Sequence, residues 1–319
     1  MEVGMIENIQ AWTLALLVYP GVLFGVLLAL LSVWLYPLVR QITVRGPRAQ
    51  SRQRSLIYPL STFLKLARRR NDAAPASLMP PSIESSMPDR STVESMLGLA
   101  CAVAPLLALM MLPLPASPLL AVGQSGDLFL VVALLAIQPL ASALLGLRVG
   151  GRASLRGAQD LGRLLTGLLP ALIAIAALVE VSGAGSLRMT ALSAAPETGA
   201  QTLVRVLSGA VLLLALPWWL HSDDESSNRG GAGSYAGRVL QAVALGAFWS
   251  LLVLPAPGDL AGAFALYTVG TLVASIVMRL ISERLLPVRR ERDRANLVWS
   301  TALPVAAIAL LVSFWWGGL

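Results

Sequence analysis

Long apolar stretches, separated by shorter polar connections, account for most of the chain. Eight mostly apolar stretches cover positions 12–39, 95–114, 127–147, 164–182, 202–220, 237–254, 262–282 and 297–316. A helix crosses the hydrocarbon core of a bilayer with about 20 such residues, and the first stretch is long enough to tilt or to project from the membrane. The pattern predicts an all-α fold: a polytopic membrane helix bundle of about eight transmembrane helices, in a single integral membrane domain over residues 1–319.

Prolines lie inside several of these predicted spans, among them Pro20, Pro105, Pro139, Pro170 and Pro304. Proline lacks the backbone N–H that would bond the carbonyl four residues earlier. Membrane bundles tolerate such kinked helices where neighbours satisfy the freed carbonyl. The prolines are therefore compatible with transmembrane helices that are kinked.

The composition excludes a soluble enzyme. Of the 319 residues, 56% are hydrophobic and 13% are charged, and the mean hydropathy is +0.73, whereas soluble proteins are about one quarter charged. Because Cys101 is the one cysteine and His221 the one histidine, the chain cannot supply the ligands of an iron–sulfur cluster, a b-type haem or a Cys/His zinc site. We expect no cofactor bound by this chain itself, with any redox centre in a partner. Glu2 and Glu7, without an early basic residue, also argue against a signal peptide.

The basic residues indicate an orientation. Of the 24 Lys and Arg residues, 22 fall in or beside the connections between spans 1 and 2, 3 and 4, 5 and 6, and 7 and 8. Only Arg188 and Arg205 fall on the other side. Positive residues collect on the cytoplasmic side of membrane proteins. Both termini are therefore predicted to be non-cytoplasmic.

Two of these connections carry candidate surfaces. Residues 40–94 form a predicted basic cytoplasmic loop, in which 55–70 has the spacing of an amphipathic helix; it is interpreted either as a helix lying on anionic headgroups or as a docking surface for a partner. The connection at 148–163 is predicted to be a second basic loop. The loop from His221 combines the acidic Asp223, Asp224 and Glu225 with a glycine run, and is either a solvated loop or the rim of a ligand cavity.

Acidic side chains are scarce within the spans. Asp127 and Asp160 lie at span edges, and Glu180 lies near the outer end of the fourth span. Proton and ion pathways through a membrane use ionisable groups at membrane depth. A self-contained proton pump or cation antiporter is therefore not indicated.

Several short motifs, taken in order, resemble the NADH dehydrogenase subunit 1 family of complex I (NADH–quinone oxidoreductase) and the related membrane subunit of energy-converting hydrogenases and formate hydrogenlyase. They are Arg45-Gly46-Pro47, Tyr58-Pro59-Leu60, Leu64-Lys65-Leu66, Arg156-Gly157-Ala158-Gln159 and Ser234-Tyr235-Ala236-Gly237. That family has eight core spans in the orientation predicted here. The resemblance implies a membrane-anchoring subunit of a respiratory oxidoreductase, non-catalytic in itself.

The resemblance further implies partners and a site. The partners are peripheral iron–sulfur or hydrogenase-like subunits, antiporter-like membrane subunits and the lipid bilayer, with no nucleic acid. A quinone at the interface would be lined by the remnant of a chamber, at Arg45, Lys65, Arg156, Gln159, Asp160, Asp223, Asp224, Glu225 and Tyr235. Where the family places acids, however, this chain has Trp34, Leu164, Ser234 and Gly246. The departures put a quinone-coupled proton path through this chain in doubt and fit the hydrogenase branch better.

Two other functions remain compatible with the sequence. A stand-alone secondary transporter would show an inverted repeat and charged groups at mid-membrane, and neither is evident. A structural membrane scaffold without a ligand would need no such features.

Overall fold

The computed structural model describes residues 2–43, 90–115, 117–118, 126–149, 151–182, 187–192, 198–220, 231–255, 259–285 and 291–317. Over these ranges the chain forms nine helices of two or more turns: α1 Glu2–Leu17, α2 Val22–Thr43, α3 Arg90–Met111, α4 Leu128–Val149, α5 Gly151–Val181, α6 Gly199–Ala215, α7 Gly231–Val253, α8 Leu260–Leu285 and α9 Glu291–Gly317. A single turn, Met189–Leu192, precedes α6, and a 3₁₀ turn, Leu216–Trp219, follows it. The predicted all-α membrane bundle is confirmed.

The apolar helices follow the predicted spans closely. Within the described ranges seven helical stretches are long and apolar enough to cross a membrane, the first of them Ile9–Tyr36 across α1 and α2, and Ser95–Met111 is a shorter apolar helix at the predicted second span. In hydrocarbon, backbone N–H and C=O groups need internal partners, and a helix provides them within one segment. The orientation of the termini stays a prediction.

The first predicted span is not one continuous helix. It breaks between α1 and α2 at Tyr19 and Pro20, whose peptide bond is cis. Hydrogen bonds across the break reach further back than in an α-helix: the Gly21 N–H donates to the Ala15 carbonyl, and the Phe24 N–H to the Val18 carbonyl. Because proline has no N–H to donate, the regular α-helical hydrogen bonds are interrupted here and the helix breaks. The sequence had predicted an uninterrupted helix.

The predicted loop at 148–163 is also wrong. Helix α4 continues to Val149 and α5 begins at Gly151, so the basic residues of this region lie on helix ends. Charge made the segment look like a connection, but an α-helix beyond the hydrocarbon region needs no apolar side chains. Both helices therefore extend past the predicted spans. We call the end of the bundle at which α5 and α7 begin the basic end.

Helix α7 lies at the centre of the bundle. It packs against α2, α3, α4, α6 and α8, whereas α5 packs against α4, α6 and α9. Every residue from Leu240 to Phe248 is buried. Helix α1 packs only loosely against α2 and α3, where Ala15 and Trp12 contact Met110 of α3.

The end opposite the basic end is held together by backbone and cap contacts. The Leu128 N–H donates to the Leu187 carbonyl at 2.9 Å, and the Gly126 N–H donates to the Met111 carbonyl at 3.0 Å. At the start of α6, Thr198 and Gln201 form a capping box. The Gln201 amide also donates to the Val181 carbonyl at 3.2 Å, which ties the start of α6 to the end of α5.

Candidate functional site

The structure describes four of the nine residues that were predicted to line a quinone chamber. Arg45, Lys65, Asp223, Asp224 and Glu225 lie outside the described residues. Arg156, Gln159 and Asp160 lie in the first turns of α5, and Tyr235 lies in the first turns of α7. These positions are all near the basic end, as the prediction requires, but the chamber itself stays a prediction.

Asp160 is the acidic member of this set with a described environment. Its Oδ1 accepts from Arg163 Nη1 at 3.3 Å, and the two side chains are 18% and 17% exposed. The neighbouring Gln159 is exposed. The pair lies one helical turn apart on α5, so the carboxylate is balanced by a charge from its own helix.

Two glycines of the short motifs have a packing role. A Cβ on Gly157 would lie 2.6 Å from the Ala143 carbonyl oxygen of α4, and a Cβ on Gly237 would collide with the Cys101 carbonyl of α3. The backbones of α5 and α7 therefore approach their neighbours at these points more closely than any side chain would allow.

Three of the positions that lack the family's acids also have defined surroundings. Leu164 is 5% exposed within the main core, while Trp34 is 44% exposed on the outside of α2. A Cβ on Gly246 would lie 2.6 Å from the Thr271 carbonyl oxygen and 3.0 Å from the Ser275 nitrogen. The α7–α8 contact thus occupies the space that a carboxylate at position 246 would need.

A neutral polar cluster lies inside the bundle where α3, α4 and α7 meet. Pro139 removes the N–H that would bond the Leu135 carbonyl within α4. Gln241, on α7, replaces it: its Nε2 donates to the Leu135 oxygen at 2.7 Å. The central helix thereby satisfies the carbonyl freed by a proline, as membrane burial requires.

The kink in α3 packs against the same face of α7 that carries Gln241. Pro105 frees the Cys101 carbonyl, and this carbonyl is the group that Gly237 approaches. Gly237 and Gln241 are one turn apart and so share a face of α7. The Cys101 thiol in turn donates to the Gln138 carbonyl at 3.8 Å, a long contact of the kind sulfur makes. We call Cys101, Gln138 and Gln241 the kink cluster.

Sequence reasoning missed the kink cluster because it considered only ionisable residues within the spans. The available signal was Gln138-Pro139, an amide side chain next to a helix-breaking residue in an otherwise apolar stretch. It also missed Arg205, a basic residue inside the fifth span that is 7% exposed. Its Nη2 donates to the Leu192 carbonyl at 3.1 Å, which anchors the turn Met189–Leu192 to α6.

Metal binding finds no support in the described ranges. No three His, Cys, Asp or Glu side chains converge there in a way that could hold a metal ion. The arrangement at the kink cluster is suited to neutral hydrogen bonding rather than to metal coordination, because amides and one thiol are its only polar side chains.

Similarity to known proteins is found at the level of structure. No protein-family model matches the sequence, and no curated protein matches it either. Among solved structures, a chain of the membrane-bound sulfane sulfur reductase, an archaeal respiratory membrane complex, is similar with a TM-score of 0.64. The match covers 95% of this chain and 99% of that chain at 16% sequence identity. The two chains therefore share a fold over nearly their whole lengths.

Proposed function

We propose that this chain is a membrane-anchoring subunit of a complex I-like or hydrogenase-like respiratory oxidoreductase. Its role is to hold the peripheral electron-transfer arm, formed by iron–sulfur or hydrogenase-like subunits, beside antiporter-like membrane subunits in the plasma membrane. The observation that carries the proposal is the shared fold with a chain of a respiratory membrane complex, nearly complete over both chains. The short motifs, which occur along the chain in the order of the resembled family, support the same assignment independently of that fold comparison.

Docking of the arm is assigned to the basic end. Residues 40–70 and 148–163 contain 13 basic residues and one acid, Asp160. Asp160 forms an ion pair with Arg163, so this acid offsets one of the 13 positive charges and a net charge of +12 remains on the two segments. A positive surface steers and orients an acidic partner.

The test is charge reversal at Arg45, Lys65 and Arg68 in the intact complex. We expect the triple variant to lose the peripheral arm during purification, while the membrane subunits stay together. Arg188→Glu is the matched control, since Arg188 is an exposed arginine at the opposite end of the bundle. Co-purification of the arm at full yield with the triple variant would show that docking does not occur there.

A degenerate quinone chamber at the basic end is the second part of the proposal. Arg156, Gln159, Asp160 and Tyr235 are its described members, with the remaining residues on the 40–94 and 221–230 segments. A photoreactive quinone analogue should label peptides that contain these residues and not the peptide around Glu180, at the other end of α5. Labelling spread over the lipid-facing helices would exclude a chamber.

The predicted orientation can be tested separately. A reporter that is active only outside the cytoplasm should be active when fused after Leu319 and inactive when fused within residues 71–89. The opposite pattern would place the basic end outside the cytoplasm, and docking of a cytoplasmic arm would then be impossible.

A further inference from the structure

The kink cluster contains hydrogen-bonding groups that the protein does not satisfy. Gln138 is 1% exposed and Gln241 is 0% exposed. Among the described residues, neither amide atom of Gln138 has a hydrogen-bond partner, and Gln241 Oε1 has none. The cluster therefore presents one donor group and two acceptors to the interior of the bundle.

Helix geometry places these three atoms close to one another. Gln241 reaches the Leu135 carbonyl, and Leu135 precedes Gln138 by three residues, so it lies one turn away on the same face of α4. Side chains of a helix lean toward its N-terminus, which carries the Gln138 amide back over the turn that Gln241 contacts. Cys101 of α3 lies next to the same residues, since its thiol contacts the Gln138 backbone carbonyl.

The cost of leaving such groups unsatisfied is high. A buried amide without a partner has lost its hydrogen bonds to water and gained none in exchange, and hydrocarbon around the bundle offers no alternative partner. Buried waters typically make about three hydrogen bonds to groups of this kind. An ion is a poorer match, because the three side chains carry no formal charge to offset its desolvation.

We propose that the kink cluster is a binding site for internal water, with water bridging the Gln138 amide to Gln241 Oε1. The water completes the hydrogen bonding of the two buried glutamine amides beside the kink of α4, and it joins α4 to the central helix α7. The site includes none of the predicted chamber residues and does not depend on the proposed function.

Water-edited solid-state NMR on the full chain in lipid tests the site. With glutamine labelled at the side-chain nitrogen, magnetisation from water should reach the Gln138 and Gln241 amides, as it reaches exposed Gln159, the internal reference. Gln138→Leu identifies the Gln138 signal by its loss. The same variant should also abolish transfer to the Gln241 amide, since the bridging water loses its second partner.

Two results would overturn the proposal. Absence of transfer to Gln138 and Gln241, with normal transfer to Gln159, would mean that the cluster is dry. A direct Gln138–Gln241 amide contact would mean that the two side chains satisfy each other. If Gln138→Leu does not fold, a density map of the wild-type protein decides: a water peak within hydrogen-bonding distance of both amides supports the site, and its absence overturns it.

Discussion

Helices α7 and α9 are both apolar over a window of 18 residues, yet 83% of that window is buried in α7 and 28% in α9. Lipid tails are as apolar as leucine, so hydrophobicity does not decide which of two such helices lies in the centre of a bundle. The difference lies in the small and polar residues of α7. Gly237, Gln241 and Gly246 each contact a different neighbouring helix: α3, α4 and α8.

Helix α9 uses small residues on one side only. Ala302, Ala306 and Ala309 are buried, and the helix packs against α5 and α6. Its other side carries large apolar residues, including Leu311 at 68% and Trp315 at 78% exposed. A central helix is thus distinguished by contact residues around its whole circumference, and a peripheral helix by a single contact stripe.

The largest expected difference comes from a matched pair of leucines. Leu245 on α7 is fully buried and Leu311 on α9 is exposed. Leu245→Ala should lower the free energy of unfolding by about 2–3 kcal/mol, at the lower end of the usual range, because helices that separate in lipid do not return the side chain to water.

Leu311→Ala, the partner variant, should change the free energy of unfolding by less than about 0.5 kcal/mol. Denaturant titration in mixed micelles measures both. Equal losses for the two variants would mean that α9 is as tightly packed as α7, and the comparison of the helices would fail.

A second pair of variants separates helix contact from helix propensity. Gly246→Ala should destabilise the bundle by about 1–2 kcal/mol, since its Cβ meets the backbone of α8 and cannot be accommodated without a shift. Gly162 on α5 has open space around it, so Gly162→Ala should instead stabilise by about 0.5–1 kcal/mol through helix propensity. If the unfolding midpoints of both variants moved in the same direction, the close contact between the backbones of α7 and α8 at Gly246 would be contradicted.

A third prediction tests the bond between Gln241 and the carbonyl freed by Pro139. Gln241→Leu should cost about 1 kcal/mol, because the Leu135 carbonyl is left buried without its partner. In a Pro139→Ala background residue 139 can donate to that carbonyl, so the same substitution should cost less. The double-mutant cycle gives the coupling free energy. A coupling of zero would show that Gln241 does not replace the missing N–H.

The sequence predicted those features of the fold that depend on one segment at a time. The spans followed from apolar length, and their boundaries mostly agree with the helices. The helical start of α5 was missed because Arg152, Arg156 and Asp160 resemble a polar connection in a hydropathy profile. The break at Pro20 was missed because a proline within a span is compatible with a kinked but continuous helix as well as with a break.

The kink cluster could not be predicted in the same way. Gln241 is 106 residues from Leu135, and nothing local in either segment shows that the two helices are neighbours. The prolines indicated that some neighbour must supply a donor, but which one depends on the packing of the whole bundle. The predicted chamber differs in this respect, because the motifs themselves predicted a position near the basic end. Its four described residues do lie near that end.

The smallest expected effect concerns proton transfer, because we predict that no carboxylate proton wire passes through this chain. Asp160 and Glu180 are the only acids that could begin and end such a wire on α5, and their separation of 20 residues corresponds to about 30 Å along a helix. The stretch of α5 between them is mostly apolar, and on the face that continues from Asp160 the side chains of Leu164, Ala171, Ala174 and Leu178 are all buried. Asp160 is paired with Arg163, and Glu180 is exposed at the other end of the helix. Proton uptake by the reconstituted complex should therefore be unchanged when Asp160→Asn and Glu180→Gln are combined. If pumping were abolished while assembly and electron transfer stayed intact, a proton path would run through α5 after all, and the apolar stretch of α5 between the two acids would have to open to water during turnover.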